Sequence, residues 1–470
     1  MSRKFKKRRV SRHIFVGLAG FAAAAQAQNQ WIPIGGGVWN TVTNWTDGVF
    51  PNAAGASVLI GPSLLGLADI TLGSPTIVGD LTLNSSHNIR ILGSPANRLV
   101  FDRVPVDSEA LLAAAGGGSH DVAVLEIADK LEINVAAGTG LSFSRQVIGN
   151  DARLRKTGEG TLDLTNTRLT LANLEGSLWQ VEQGEVRFGG PLGSSATNLT
   201  SGRLRLSGGT VSFAASGGIV LPGSWEIAGA GGSINVENSI TTIDVAAPVS
   251  GSGAFNKVGP GTLAFSPASS PPSGDPGAGP IGVNVLGGTL RFGQNYSSGT
   301  NLNVTVSPGA TVTGDGRMGA LSASGTVAPG MPGNALGTLT LTSLALQPGG
   351  LFEVQLGTGP TEVDTLVVTE GGVSLGGADL SLTLLAQPTA LVEYVIVDKQ
   401  SAGPVTGTFA QGATISADFG GFTYPFDILY NGGDGNDVVL FTLVPEPGAA
   451  SLALLGAGVW LLGRRSGRRR

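Results

Sequence analysis

The chain has 470 residues, of which 75 are glycine, 13% are charged and none is cysteine. The absence of thiols excludes disulfides, thiolate metal sites and thiol catalysis, so burial and backbone ladders must hold the fold. An apolar content of 41% excludes a disordered chain, and no glycine period of three runs along it, which excludes collagen. The net charge of −5 hides an asymmetry: seven basic groups lie in the first twelve residues and five in the last seven. Without those twelve, 16 basic residues face 33 acidic ones, a net −17. An acidic middle argues against nucleic acid as a partner.

The N terminus has a basic stretch from Arg3 to Arg12, an apolar stretch from Ile14 to Ala25, and an A-x-A site at Ala25-Gln26-Ala27. This pattern predicts a secretory signal over 1–27 with cleavage before Gln28. A membrane anchor is the other reading, and the run is short and alanine-rich for that. Trp31, Trp39 and Trp45 follow. They are expected to cap the open end of a stacked fold, or alternatively to stack on sugar rings.

Further on, short alternating runs recur: "ADITLGSPTIVGDLTLNSS", "SGRLRLSGGTVSF", "GTLTLTSLALQPGG" and "GGADLSLTLLAQ". Each reads as a short strand bounded by glycine turns. Asp102, Asp107, Asp121 and Asp129 cluster in sequence beside Glu109 and Glu126. Such carboxylates could cleave a polysaccharide if two met in space, or they could form a solvated acidic face.

Two segments match each other: "LRKTGEGTLDL" at 154–164 and "FNKVGPGTLAF" at 255–265. Their shared core is K-x-G-x-G-T-L-x-[LF], with Lys156 and Lys257 in register. Each is followed by a second match, "VEQGEVRFGG" at 181–190 and "VLGGTLRFGQ" at 285–294. Repeats of this kind predict stacking modules that share one core. The fold class expected is all-β, a Gly-rich parallel β-helix (β-solenoid), with an antiparallel β-sandwich array as the alternative. The regions expected are an N-terminal β region at 28–150, a repeat region at 151–300 and a C-terminal β region at 301–443. The proline-rich stretch from Ser266 to Pro280 reads as a loop extruded from one coil.

Three motifs suggest chemistry that their context does not support. "GVSLG" at 372–376 matches a serine nucleophile elbow, but no helix pattern follows and His13, His87 and His120 all lie upstream. "GAGPIG" at 277–282 and "GDGRMG" at 314–319 match a dinucleotide fingerprint without opening a helix. "GGDGNDVVL" at 432–440 fits a calcium nonapeptide, with Asp434, Asn436 and Asp437 as oxygen donors. Such sites complete their shell from a second stacked copy, and only one copy is present, so a Gly-Asp turn is the competing reading. No catalytic residue and no cofactor is expected.

The tail holds Pro445-Glu446-Pro447, an apolar run over 449–463 and then Arg464-Arg465. As a helix that run spans about 22 Å, short of a hydrocarbon core of roughly 30 Å. It resembles the PEP-CTERM sorting signal of Gram-negative bacteria, which places a sorting or anchor segment at 444–470. The resemblance implies an exosortase, a membrane protease or transpeptidase, as a transient partner, and inner-membrane contact before processing. The K-x-G-x-G-T-L-x-L units resemble autotransporter-associated β-strand repeats, found in secreted passenger domains. That implies an exported structural or adhesive protein of the cell envelope or extracellular matrix, with exopolysaccharide or other envelope components as partners. A membrane barrel, which autotransporters carry after their repeats, is not expected after residue 443.

Overall fold

A computed structural model describes residues 28–105, 108–150, 152–172, 178–189, 203–221, 223–246, 249–266, 281–294, 302–330 and 336–442. The signal-peptide residues Ala25 and Ala27, the sorting residues Pro445, Glu446, Pro447, Arg464 and Arg465, and the 449–463 run lie outside the described residues. Among the described residues no helix is long and apolar enough to cross a membrane.

Each turn of the chain contributes one short strand to each of two or three sheets, and those strands pair in parallel with the turns before and after. The first face has ten strands, from Asn29–Gln30 to Val249–Gly251. The second has fifteen, from Gly37–Val38 to Val373–Ser374. The third has five strands, Thr76–Val78 to Arg168–Ala172, followed by an eight-stranded sheet, Gly218–Leu221 to Asp379–Leu384. The chain is thus a parallel β-solenoid, and the antiparallel sandwich is excluded by the pairing. Fifteen strands at about 4.8 Å spacing make a rod roughly 67 Å long.

Alternation decides which side chains enter. Lys130–Val135 and Glu109–Ala115 place every second residue in the core. Register then stacks like on like. Val58, Leu81, Leu112 and Ile133 form one inward column on the first face. Leu162, Val186, Val211 and Ile234 form another on the second. The first face stops at Val249–Gly251, just before the proline-rich stretch, which falls at 267–280 outside the described residues.

Both ends of the rod differ from its middle. At the N-terminal end Trp31, Trp39 and Trp45 pack edge to face, with centroids 5.1 and 4.8 Å apart. All three are buried, and each indole N–H donates to a backbone carbonyl, at Gly35, Pro51 and Trp39. Their ring faces are closed to a sugar, so they cap the first turn. At the other end Thr338–Leu341, Thr365–Val368 and Glu393–Lys399 begin a new sheet. The chain there turns antiparallel through Thr414–Phe419, Phe422–Gly432 and Asp437–Thr442.

Candidate functional site

Lys156 and Lys257 occupy inward positions that alternation assigns to core residues. Lys156 follows Ile133 and precedes Val181 in the first-face column. Lys257 sits between Ile234 and Val285 on the second face. Their relative exposures are 3% and 0%. A buried ammonium needs acceptors, and backbone carbonyls supply them. Lys156 Nζ donates to the carbonyls of Thr157 at 2.8 Å, Gly158 at 2.7 Å and Gln183 at 3.2 Å. Lys257 Nζ donates to Val258 and Gly259, both at 2.9 Å, and to Gly287 at 3.0 Å. Two acceptors come from the lysine's own corner and the third from the corner stacked on it.

The glycines of the motif follow from the same geometry. Gly158 and Gly259 adopt φ of +71° and +76°, so the carbonyls of the corner can turn inward. In the next turn, a Cβ on Gly184 would lie 2.4 Å from the carbonyls of Gly158 and Gly160. A Cβ on Gly288 would lie 2.4 and 2.5 Å from those of Gly261 and Gly259. The two halves of the sequence repeat are therefore one physical unit. The first half supplies the cation and the second supplies the closing carbonyl and the close approach.

A third buried lysine is not part of the repeat. Lys399 stacks on Val368, and its Nζ donates to the carbonyls of Ser401, Ala402 and Gly403. The spacing K-Q-S-A-G lacks the double glycine, and strict alternation from Tyr394 and Ile396 would point Lys399 outward; a register shift between Val395 and Val397 turns it inward, which no sequence period marks.

Chemically these sites are clamps. Burial pushes Lys156 and Lys257 down from 10.5 to about 8. A lysine near 8 would suit a nucleophile in an open cleft, but here the amine is enclosed and its three protons are taken up by carbonyls.

The carboxylates noted in the sequence disperse. Glu109 lies on the first face, where Arg155 binds it through two contacts of 3.1 and 2.7 Å while also reaching Glu132 and Glu182. Asp121 lies on the second face and accepts from Ser142 and Ser144. Glu126 lies on the third, paired with Arg98. Asp102 and Asp129 sit at the corner between third and first faces, and Asp107 is outside the described residues. Glu109, Asp121 and Glu126 thus lie on three different faces, while Asp102 and Asp129 share one corner in consecutive turns.

Ser374 is on the fifteenth strand of the second face and His120 on the fourth, about 50 Å apart at the strand spacing. His120 is a core residue: its Nδ1 accepts from the Ile89 N–H and its Nε2 faces the Ala115 carbonyl. Gly314–Gly319 leads from strand to strand with no helix, and most of 277–282 is outside the described residues.

"GGDGNDVVL" forms the last hairpin turn, with Gly433 and Gly435 at positive φ. Asp437 accepts the Lys399 N–H at 2.9 Å, Asn436 donates its amide to the Ser401 carbonyl, and Asp434 is exposed. Burial raises the Asp437 pKa, and the neighbouring Asp398 and Asp434 charges add to that. Among the described residues no group of three acidic or histidine side chains is placed to hold a metal.

One open groove stands apart, near the N-terminal end. It encloses about 510 Å³ and is lined by Asn29, Asp47, Phe50 and Asn52 among others.

The class that fold and clamps define is a parallel β-solenoid with lysine-bridged corners. No protein-family model matches the chain, and no curated protein matches it.

Proposed function

We propose that this is an exported structural or adhesive protein of the cell envelope or extracellular matrix, acting by presenting surface and not by catalysis. The observation that carries the reading is the lysine-clamped rod itself. Lys156 and Lys257 are spent on joining successive turns, and Glu109, Asp121 and Glu126 lie on three different faces. A rigid rod about 67 Å long suits a spacer or display element. Export through the 1–27 signal and sorting through Pro445-Glu446-Pro447 rest on the sequence motifs alone, with an exosortase as the transient partner.

The test is to map the C-terminal peptides of the protein from envelope and medium fractions by mass spectrometry. A chain that stops near Pro445–Pro447 supports sorting. Peptides that retain Trp460 and the arginine cluster in every fraction make the tail a permanent anchor and end the sorting reading.

A second reading, a polysaccharide-binding module, is favoured by the groove at Asn29, Asp47, Phe50 and Asn52, which combines amide and carboxylate groups with an aromatic ring. Affinity electrophoresis in gels containing acidic or neutral polysaccharide tests it. Retardation that Asp47→Ala abolishes supports it, and unretarded migration in every gel rejects it.

A further inference from the structure

The surface of the rod is not uniform along its length. Among the described residues thirteen large hydrophobic side chains are exposed, and seven of them fall within residues 32–67, on the first two turns. Ile34 and Leu65 are 63% and 73% exposed and are joined by a backbone hydrogen bond, Leu65 N–H to Ile34 carbonyl, of 3.1 Å. Both lie at the same corner, between first and second faces, in consecutive turns. Ile32 and Leu67 flank them in the chain, and Val38, on the first strand of the second face, and Val42, just past it, are exposed as well. Exposed apolar clusters of this kind mark interaction surfaces.

Charge identifies the partner. Residues 28–67 carry a single charged side chain, Asp47. Residues 301–443 carry twelve acidic and two basic residues, net −10, and one of the two basic groups is the enclosed Lys399. Between the ends, residues 68–300 carry 19 acidic and 14 basic residues, so repulsion between two copies is strongest at the C-terminal end and least at the apolar N-terminal end. Meeting there places their acidic ends roughly 130 Å apart, twice the rod length. A head-to-tail contact would instead seat the apolar corner among Glu393, Asp418 and Asp427, with no cation in the corner to answer them. An isologous contact needs one self-complementary patch, which this corner supplies.

We propose that the protein associates head to head, as a two-fold dimer, through the apolar corner formed by Ile32, Ile34, Leu65 and Leu67, with the second copy as the occupant.

The chain's lack of cysteine makes a clean test available. Sedimentation of the purified protein between about 1 and 100 µM is expected to show the mass doubling, more readily at high salt because screening relieves the repulsion between acidic rods. Ile34→Glu and Leu65→Glu, both at positions already in water, should hold the mass at one chain, while Ile240→Glu, at an equally exposed mid-rod site, should leave the doubling intact. On mild oxidation Ile34→Cys should cross-link to itself and Phe422→Cys, at the opposite end, should not. Circular dichroism of each variant checks that the solenoid is intact.

A single-chain mass at every concentration and salt overturns the proposal. So does cross-linking of Ile34→Cys to Phe422→Cys in a mixture, which would make the contact head to tail. Loss of binding to anionic lipid vesicles or polysaccharide in the glutamate variants, with no change in mass, also overturns it, because the corner would then belong to another partner.

Discussion

Replacing Lys257 by methionine separates the clamp from the column. Methionine keeps the length and fills the space between Ile234 and Val285, but leaves the carbonyls of Val258, Gly259 and Gly287 without their donor. Hydrogen bonds from a charged donor contribute about 1.5–3 kcal/mol each, so three at about 2 kcal/mol contribute about 6 kcal/mol. Against this stands the burial of the ammonium, which moves its pKa from 10.5 to about 8 and so costs about 3 kcal/mol. The net loss expected is about 2–3 kcal/mol, which is a 30- to 150-fold change in an opening equilibrium, roughly. In a stacked array each turn contacts only its neighbours, so the loss stays local. Native-state hydrogen exchange by mass spectrometry is the assay. Peptides over Ala254–Val258 and Ile281–Val285 should exchange faster by about that factor, while those over Ser57–Ile60 and Ile89–Leu92 stay as in the wild type. Exchange within about twofold of wild type at 254–285 would refute the reasoning, since burial and bonding would then cancel.

Three further outcomes follow from the same geometry. Gly184→Ala and Gly288→Ala, which force a Cβ against carbonyls at φ of +62° and +65°, should each lower stability by more than about 2 kcal/mol in denaturant titration, whereas Gly287→Ala, 3.6 Å from its nearest neighbour, should be tolerated. With folded pKa values near 8 and unfolded values near 10.5, the unfolded chain binds more protons in that window, so wild-type stability should rise from pH 8 to 10.5 relative to a Lys156→Met/Lys257→Met double variant; a flat difference would contradict it. Trp39→Ala should cost about 3–5 kcal/mol and show as rapid exchange confined to the first two turns, and exchange spread along the whole rod would contradict the capping role.

Several features were legible from residue order alone. Alternation in "GTLDL" and "GTLRF", glycines at each boundary, and the paired repeat half-motifs together specified short strands stacked around one core. The period of two also placed Lys156 on the side of Leu154, and Lys257 on the side of Phe255, because the side chains of a strand leave by alternate faces. The inventory of donors and acceptors did not follow, since a lysine's partners here are backbone carbonyls, which every residue carries and no motif marks.

Tertiary structure decided the rest. The first repeat turns the corner from first to second face and the second repeat turns it from second to third, so two copies of one sequence hold different positions around the rod. A corner module of strand, lysine, glycines and strand fits wherever successive strands meet at a similar angle, and only the accumulated lengths of intervening turns determine which corner that is. The same accumulation scattered Glu109, Asp121 and Glu126 over three faces although they are neighbours in the chain. It also gathered the exposed apolar residues of two turns at one corner. Sequence determined the module and its inward lysine through local periodicity; which modules stack on which, and what surface they present, depended on register between turns some 20 to 30 residues apart, as in the Lys156–Gln183 and Lys257–Gly287 bonds.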